Sequence, residues 1–407
     1  MEGTEIKIAF SYDIQLSPSE REAVEEMSRR ISKDLPRKIH DEAFMYYRFL
    51  KAREFDVDGA EKMLRQTLQW RKDGNVDQIL TDYKVPEVLQ NHLKNFLFGY
   101  DKEGCPVYYM PIGKKDVRGL HMSARFYDLE KSFVHLSEET AKILGQQRKK
   151  LNKYLKGVVH IYDMEGLTFG NATCKKGIET SIKILKIHQD NYPEGLKALY
   201  IINASSLFTL PFNILKSFLN SRMLSKIHVY GSEGWKEVLL ELMDADQLPV
   251  FLGGTRTDPD GNPLGKTFMN QGGKISEKYY IQKSINSLEK SPGVKRITLP
   301  RASFNEVIVE IKEAGSIIEW EFETKTRDIG FGLFYKDMVG EEEKMIELVE
   351  LQRLETEDFS EVGMYKCDKN GEYIILFDNS YSWIRSKEVF YRINVVKPSD
   401  HEKNLKN

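Results

Sequence analysis

The chain has little with which to do covalent or metal chemistry. Its 407 residues hold three cysteines, Cys105, Cys174 and Cys367, scattered without the paired spacing of a zinc site or a redox pair. No apolar run approaches the length that spans a bilayer. The start, Met1-Glu2-Gly3-Thr4-Glu5-Ile6-Lys7, carries acids where a secretory signal carries base and then an apolar stretch. The formal net charge is −2, which argues against bulk attraction to nucleic acid but leaves room for a local basic face. A reducing cytosol is the expected home.

Catalytic constellations are also scarce. His160, His188 and His228 stand apart, none with a ligand partner at metal spacing. Asp163 and Glu165 close a strand, where carboxylates usually cap a turn. Gly265-Lys266-Thr267 looks like the end of a phosphate-binding loop, but Asp260 stands where its first glycine belongs. Asp258-Pro259-Asp260-Gly261-Asn262-Pro263 lacks the closing Glu of a calcium loop. Tyr230-Gly231-Ser232-Glu233-Gly234 lacks the first glycine of a nucleophile elbow. The expectation is a binding protein and not an enzyme.

Apolar periodicity is plentiful, and its period changes along the chain. Hydrophobic residues make up 41% and charged residues 30%, ordinary for a globular protein long enough for two or three domains. Residues 16 to about 95 read as short amphipathic helices forming a bundle, with Arg48, Lys51 and Arg53 among its charges. From Phe96, strands alternate with helices: Val107–Met110, Val158–Asp163, Leu196–Ala204 and Ile227–Tyr230 are short apolar runs suited to a mainly parallel sheet. Between the last two, Pro211 is expected in the first turn of a helix reaching to about Ile227. Ile214, Leu215, Phe218, Leu219 and Met223 recur along it at three- and four-residue spacing. From Ile275 the period falls to two, as in Phe304–Ile311, Ile317–Glu323, Gly330–Tyr335, Glu372–Phe377 and Val389–Val395, indicating an all-β sandwich. An acidic stretch, Glu341 to Glu361, is expected as a solvated loop between strands.

Four fragments in order carry a resemblance: Tyr192-Pro193-Glu194, Ile201-Ile202-Asn203-Ala204-Ser205, Ser225-Lys226-Ile227 and Leu248-Pro249-Val250-Phe251-Leu252-Gly253-Gly254-Thr255. With Asp163-Met164-Glu165-Gly166-Leu167, they resemble the CRAL-TRIO lipid-binding domain. Phe49-Leu50-Lys51-Ala52-Arg53-Glu54-Phe55-Asp56-Val57 resembles its amino-terminal helical module, and Gly371 to Trp383 resembles the GOLD β-sandwich. The expected fold is therefore multidomain: an N-terminal helical bundle (1–95), an α/β CRAL-TRIO domain with a hydrophobic lipid cavity (96–254), a linker (255–275), an all-β GOLD sandwich (276–397) and a tail (398–407). Animal lipid-transfer proteins share this order of parts.

The resemblance implies one hydrophobic lipid, with no other cofactor and no metal, exchanged at a transient membrane surface by a cytoplasmic protein. Ile214, Leu215, Phe218, Leu219 and Met223 would form a gate. Tyr109, Val159, Ile161, Leu199 and Ile201 would line the cavity. Relatives that hold phosphatidylinositol meet its headgroup with residues matching Arg53, Glu194 and Lys226 here. Glu54 and Met223 replace a Lys and a Thr of that set, so an apolar cargo such as tocopherol, squalene or another isoprenoid is expected before phosphatidylinositol. A second reading is a lipid-responsive adaptor that meets a protein partner through the sandwich.

Overall fold

The computed structural model describes residues 16–31, 43–266, 269, 271–280, 288–339, 342–357 and 360–400. The expected tail from 401 onward, and the Thr267 of Gly265-Lys266-Thr267, lie outside these residues. Two compact units partition the chain. The first comprises Met1–Leu167, Thr180–Ser205 and Phe218–Tyr279; the second comprises Thr168–Glu179, Ser206–Ser217 and Tyr280–Asn407.

In the first unit, helices Pro18–Ile31, Ala43–Ala52 and Val57–Asp73 pool their apolar faces. Val24, Met27, Ile31, Phe49, Leu50 and Leu64 form one buried cluster. Glu54 and Phe55 take left-handed backbone angles (φ 53° and 64°), and Phe55 N–H returns to Leu50 O at 2.8 Å. That pair ends the second helix, and the Asp56 carboxylate caps the third by accepting from Asp58 N. Beyond them runs a five-stranded sheet: β1 Phe96–Tyr100, β2 Pro106–Met110, β3 Val158–Asp163, β4 Leu196–Ile202 and β5 Ile227–Val229. The strands lie in that order, with β1 antiparallel to β2 and the rest parallel.

Strand parity sorts the sheet into two faces. Val107, Tyr109, Val159, Ile161 and Ile202 share a buried cluster with Trp235, Leu239, Met243, Leu248 and Leu252. The opposite face carries Tyr108, His160, Tyr162, Leu199 and Ile201, where Tyr108 pairs with His160, His160 with Leu199 and Tyr162 with Ile201. The stretch expected as a linker is packed into this unit. Met269 and Ile275 are buried, and Thr255 N–H donates to Ala245 O at 2.7 Å.

The second unit holds two antiparallel four-stranded sheets. One runs β10 (Glu342–Glu355), β9 (Asp328–Val339), β12 (Gly371–Asp378), β7 (Phe304–Ile311); the other runs β11 (Glu361–Lys366), β8 (Ile317–Thr324), β13 (Lys387–Val396), β6 (Lys295–Leu299). Trp320, Phe322, Phe331 and Phe377, all at most 2% exposed, meet between them. A Cβ at Gly363 would stand 2.5 Å from the Trp320 ring, so only glycine fits there. The acidic stretch corrects the sequence reading. Glu342–Glu355 is a strand paired with β9, not a loop. Val349 is buried in the core and Leu348 and Leu354 pack beside it, while Glu343 and Glu347 are exposed on this edge strand, where charge discourages further pairing.

Two short segments from within the α/β region complete this core. Phe169, in the Phe169–Ala172 helix, is 1% exposed and lies 5.9 Å from the Phe331 ring. Leu207 and Leu210, in the Ser206–Leu215 helix, pack on the same cluster. Met364 N–H donates to Thr173 O at 3.1 Å, and Lys175 pairs with Glu319 at 2.7 Å.

Candidate lipid site

The motif Tyr192-Pro193-Glu194 is held one residue at a time by side chains from the helices around it. Tyr192 OH donates to the Glu138 carboxylate at 2.8 Å. That carboxylate also takes both arms of Arg71, at 2.8 and 3.0 Å. Pro193 O accepts from Arg48 Nε at 2.7 Å. Glu194, in a left-handed conformation with φ 54°, turns a nearly buried carboxylate onto three cations. Arg222 Nε lies 2.8 Å away, Lys226 Nζ 3.5 Å and Lys51 Nζ 3.8 Å. Arg222 also donates to Lys51 O. Three cations around one carboxylate leave an excess of positive charge at the end of the sheet.

Burial is the largest cause holding the Lys226 ammonium below its usual pKa, with Arg222 and Lys51 adding to it and Glu194 opposing. Burial likewise lowers His188 to about 4, helped by Arg48 and Lys226, and lowers His160 to about 3, helped by His188. These influences tie the cation cluster to the Tyr108–His160–Tyr162 face. His160 stacks on Tyr108 at 5.5 Å, and its Nδ1 is buried with no hydrogen-bond partner among the described residues. On this face a cleft of about 290 Å³ is lined by Asn95, Leu97, Tyr108, Leu136, Thr140 and Ile143.

The two histidines set a pH response. Both are neutral in the folded protein near pH 7, whereas the unfolded chain takes up protons from about pH 6.5 downward. Their contribution is therefore complete above that pH and is lost as pH falls toward about 4. Denaturant unfolding at pH 7 and pH 5 should differ by about 4 kcal/mol from this source, about 2 kcal/mol for each histidine. His160→Gln with His188→Gln should shrink the difference, and an unchanged pH slope would exclude the cause.

The expected site residues fall into separate places. Glu194 and Lys226 meet as anticipated. Arg53 is exposed on the turn after the second helix, near Asp190, whose pKa burial raises while Lys186 and Arg53 oppose the rise. Of the expected lining set, Leu199 and Ile201 lie on the His160 face, while Tyr109, Val159 and Ile161 lie on the other, inside the Trp235 cluster. The five do not share a face. The expected gate helix is broken. A helix spans Ser206–Leu215 with Pro211 inside it, a 3₁₀ turn spans Lys216–Phe218, and a short helix spans Ser221–Leu224. Asn220 forces the break by capping the second piece, its Oδ1 accepting from Met223 N at 2.8 Å. Ile214 is 1% exposed, and Leu215, Phe218, Leu219 and Met223 are half-buried. Gln189 straps the break, donating to Phe218 O at 2.9 Å and accepting from Asn220 N–H at 3.1 Å.

Arg222 was missed by sequence reasoning because it falls on the polar side of the expected helix. Its signal is the four-residue spacing to Lys226, which puts both cations near one carboxylate. The strand-end carboxylates point apart. Asp163 accepts from Tyr109 OH and Asn203 Nδ2, each at 2.8 Å, and Glu165 meets Lys114.

A model of the CRAL/TRIO domain matches residues 90–254, and one of the CRAL/TRIO N-terminal domain matches residues 13–66, together more than half of the chain. The chain belongs to the CRAL-TRIO family. Among CRAL-TRIO relatives, "Protein real-time" of Aedes aegypti is 26% identical over 300 residues, covering 71% of this chain and 45% of that protein. The phosphatidylinositol/phosphatidylcholine transfer proteins SFH7 and SFH4 of Arabidopsis thaliana are each 38% identical, over 224 and 227 residues. Those matches cover 54% of this chain and 41% and 36% of the relatives. The chain thus spans less than half the length of these curated relatives. The crystal structure of Sfh5 aligns with a TM-score of 0.50 at 18% identity, over 65% of this chain and 96% of that one, a likeness of fold. No helix among the described residues is long and apolar enough to cross a membrane.

Proposed function

We propose that this CRAL-TRIO protein binds one lipid and transfers it between membranes, with the lipid body against the Tyr108–His160–Tyr162–Leu199–Ile201 face. The cation cluster on Glu194 carries this reading, because it places charge where a headgroup would end. Glu54 had favoured an apolar cargo by repelling a phosphate. It stands exposed in the turn after the second helix, and Lys51 and Arg222 supply cations in its stead. A lipid with an anionic headgroup is therefore preferred over tocopherol or squalene, and SFH7 and SFH4 are named for phosphatidylinositol as well as phosphatidylcholine. The buried His160 Nδ1 offers a second polar contact along the chain.

Burying about sixteen methylenes is worth on the order of 12 kcal/mol, so the cargo leaves through water too slowly to be useful. A movable apolar segment supplies a dry path, and the strapped break at Phe218 and Leu219 is the part we assign to that task. Phe218→Asp with Leu219→Asp should slow vesicle-to-vesicle transfer by about tenfold. Unimpaired transfer would remove the gate assignment. Mass spectrometry of lipid extracted from the purified protein tests the cargo: mainly phospholipid is expected, and mainly isoprenoid would restore the apolar reading. The β-sandwich is read as a GOLD domain on the strength of Gly371 to Trp383.

A further inference from the structure

We propose that the loop between β12 and β13 is a wedge that docks the protein on anionic phospholipid bilayers. Trp383 and Ile384 are adjacent and 83% and 86% exposed, and Phe304, which pairs with Asp378 where the loop leaves β12, is 61% exposed. The other tryptophans differ: Trp235 and Trp320 are buried and Trp70 is half-buried. An exposed aromatic–aliphatic pair is costly in water, and tryptophan favours the bilayer interface, where its ring sits among apolar chains and its N–H stays wet.

The loop holds this pair out by construction. Asn379 is fully buried, and its amide donates to Pro300 O at 2.8 Å and Arg385 O at 3.0 Å. Ser382 Oγ donates to Arg385 O at 2.9 Å, and Ala302 N–H donates to Ser382 O at 3.0 Å, joining the β6–β7 loop to it. Tyr381 OH anchors the near end on the Asp328 carboxylate at 3.1 Å. A loop already ordered gives up little conformational entropy on docking.

Charge selects the partner. Arg301 and Arg385 are exposed on the two joined loops. The acid at their base, Asp328, is matched by Lys387 at 2.8 Å and by Arg353, and its carboxyl is held down to about 2 although burial opposes this. Glu306 is exposed further along β7, and Glu388 on β13 is paired with Lys325 and Arg296. Apolar side chains flanked by arginine suit an anionic lipid surface. The inference deepens the carrier reading by naming the face that meets the membrane.

The test uses the full chain with vesicles of phosphatidylcholine, alone or with phosphatidylserine. Tryptophan emission should shift to the blue on adding the mixed vesicles, and Trp383→Phe should abolish the shift while keeping co-flotation. Trp383→Ser with Ile384→Ser should weaken co-flotation by at least about tenfold, with circular dichroism unchanged. Arg301→Ala with Arg385→Ala should erase the preference for phosphatidylserine. Equal flotation of the Ser variant, no emission shift, or no binding by the native chain overturns the wedge; capture of a protein by Trp383 in its place would too. Lipid extracted from the Ser variant should match that of the native chain. Empty protein in both would fail the carrier reading while leaving the vesicle result to stand or fall alone.

Discussion

Phe331→Ala is expected to lower the stability of the sandwich unit by about 3–5 kcal/mol, and to loosen a helix nearly 120 residues earlier in the chain with it. Phe331 is fully buried, with ring centroids 4.8 Å from Phe322, 5.2 Å from Trp320 and 5.9 Å from both Phe377 and Phe169. Removing its ring leaves a cavity bounded by other large aromatics that have little freedom to close it. The same core carries Leu207 and Leu210, so the Ser206–Leu215 helix depends on it for burial. Hydrogen exchange checks this directly. Amides of residues 206–215 should lose protection in the variant, while those of β4, in the other unit, keep theirs. Retained protection at 206–215 would show that the helix is held by something other than the sandwich.

That dependence marks where the sequence stopped being legible. Periodicity at Ile214, Leu215, Phe218, Leu219 and Met223 shows that a face is apolar, but not what covers it. Nothing local announces that Leu207 and Leu210 are completed by strands a hundred residues later. The break at Asn220 was visible in principle, since Asn is a preferred N-cap, but the apolar spacing ran across it unchanged. Strands β3 and β4 were legible because each is a short buried run. Which of their residues share a face was not, because register between strands is set by tertiary pairing. The resemblance therefore groups Tyr109, Val159 and Ile161 with Leu199 and Ile201, although the pairing puts them on opposite faces. The acidic run failed for a related reason: charge marks exposure, and an edge strand is exposed on one side as a loop is on both. The headgroup end was half legible. Glu194 and Lys226 came from the motif, whereas Arg222 needed the fold.

Removing Arg222 and Lys226 together should cut the affinity for an anionic phospholipid by about a hundredfold, taking each charge-assisted contact at about 1.5–3 kcal/mol and allowing for their partial exposure. Glu194→Gln should act in the opposite direction. The carboxylate competes with any phosphate for Arg222, Lys226 and Lys51, so neutralising it frees three cations at the cost of a partly screened ion-pair cluster. The opposed signs separate a headgroup site from a structural knot. If the cluster only ties the Ala43–Ala52 helix to the sheet, both variants lose stability and cargo together. If it reads a headgroup, Arg222→Ala with Lys226→Ala loses phosphatidylinositol, Glu194→Gln keeps or gains it, and zwitterionic phosphatidylcholine changes less in each case. Loading the purified variants from vesicles of each lipid and weighing the complexes by native mass spectrometry decides between them, because occupancy is read on the folded, loaded protein alone.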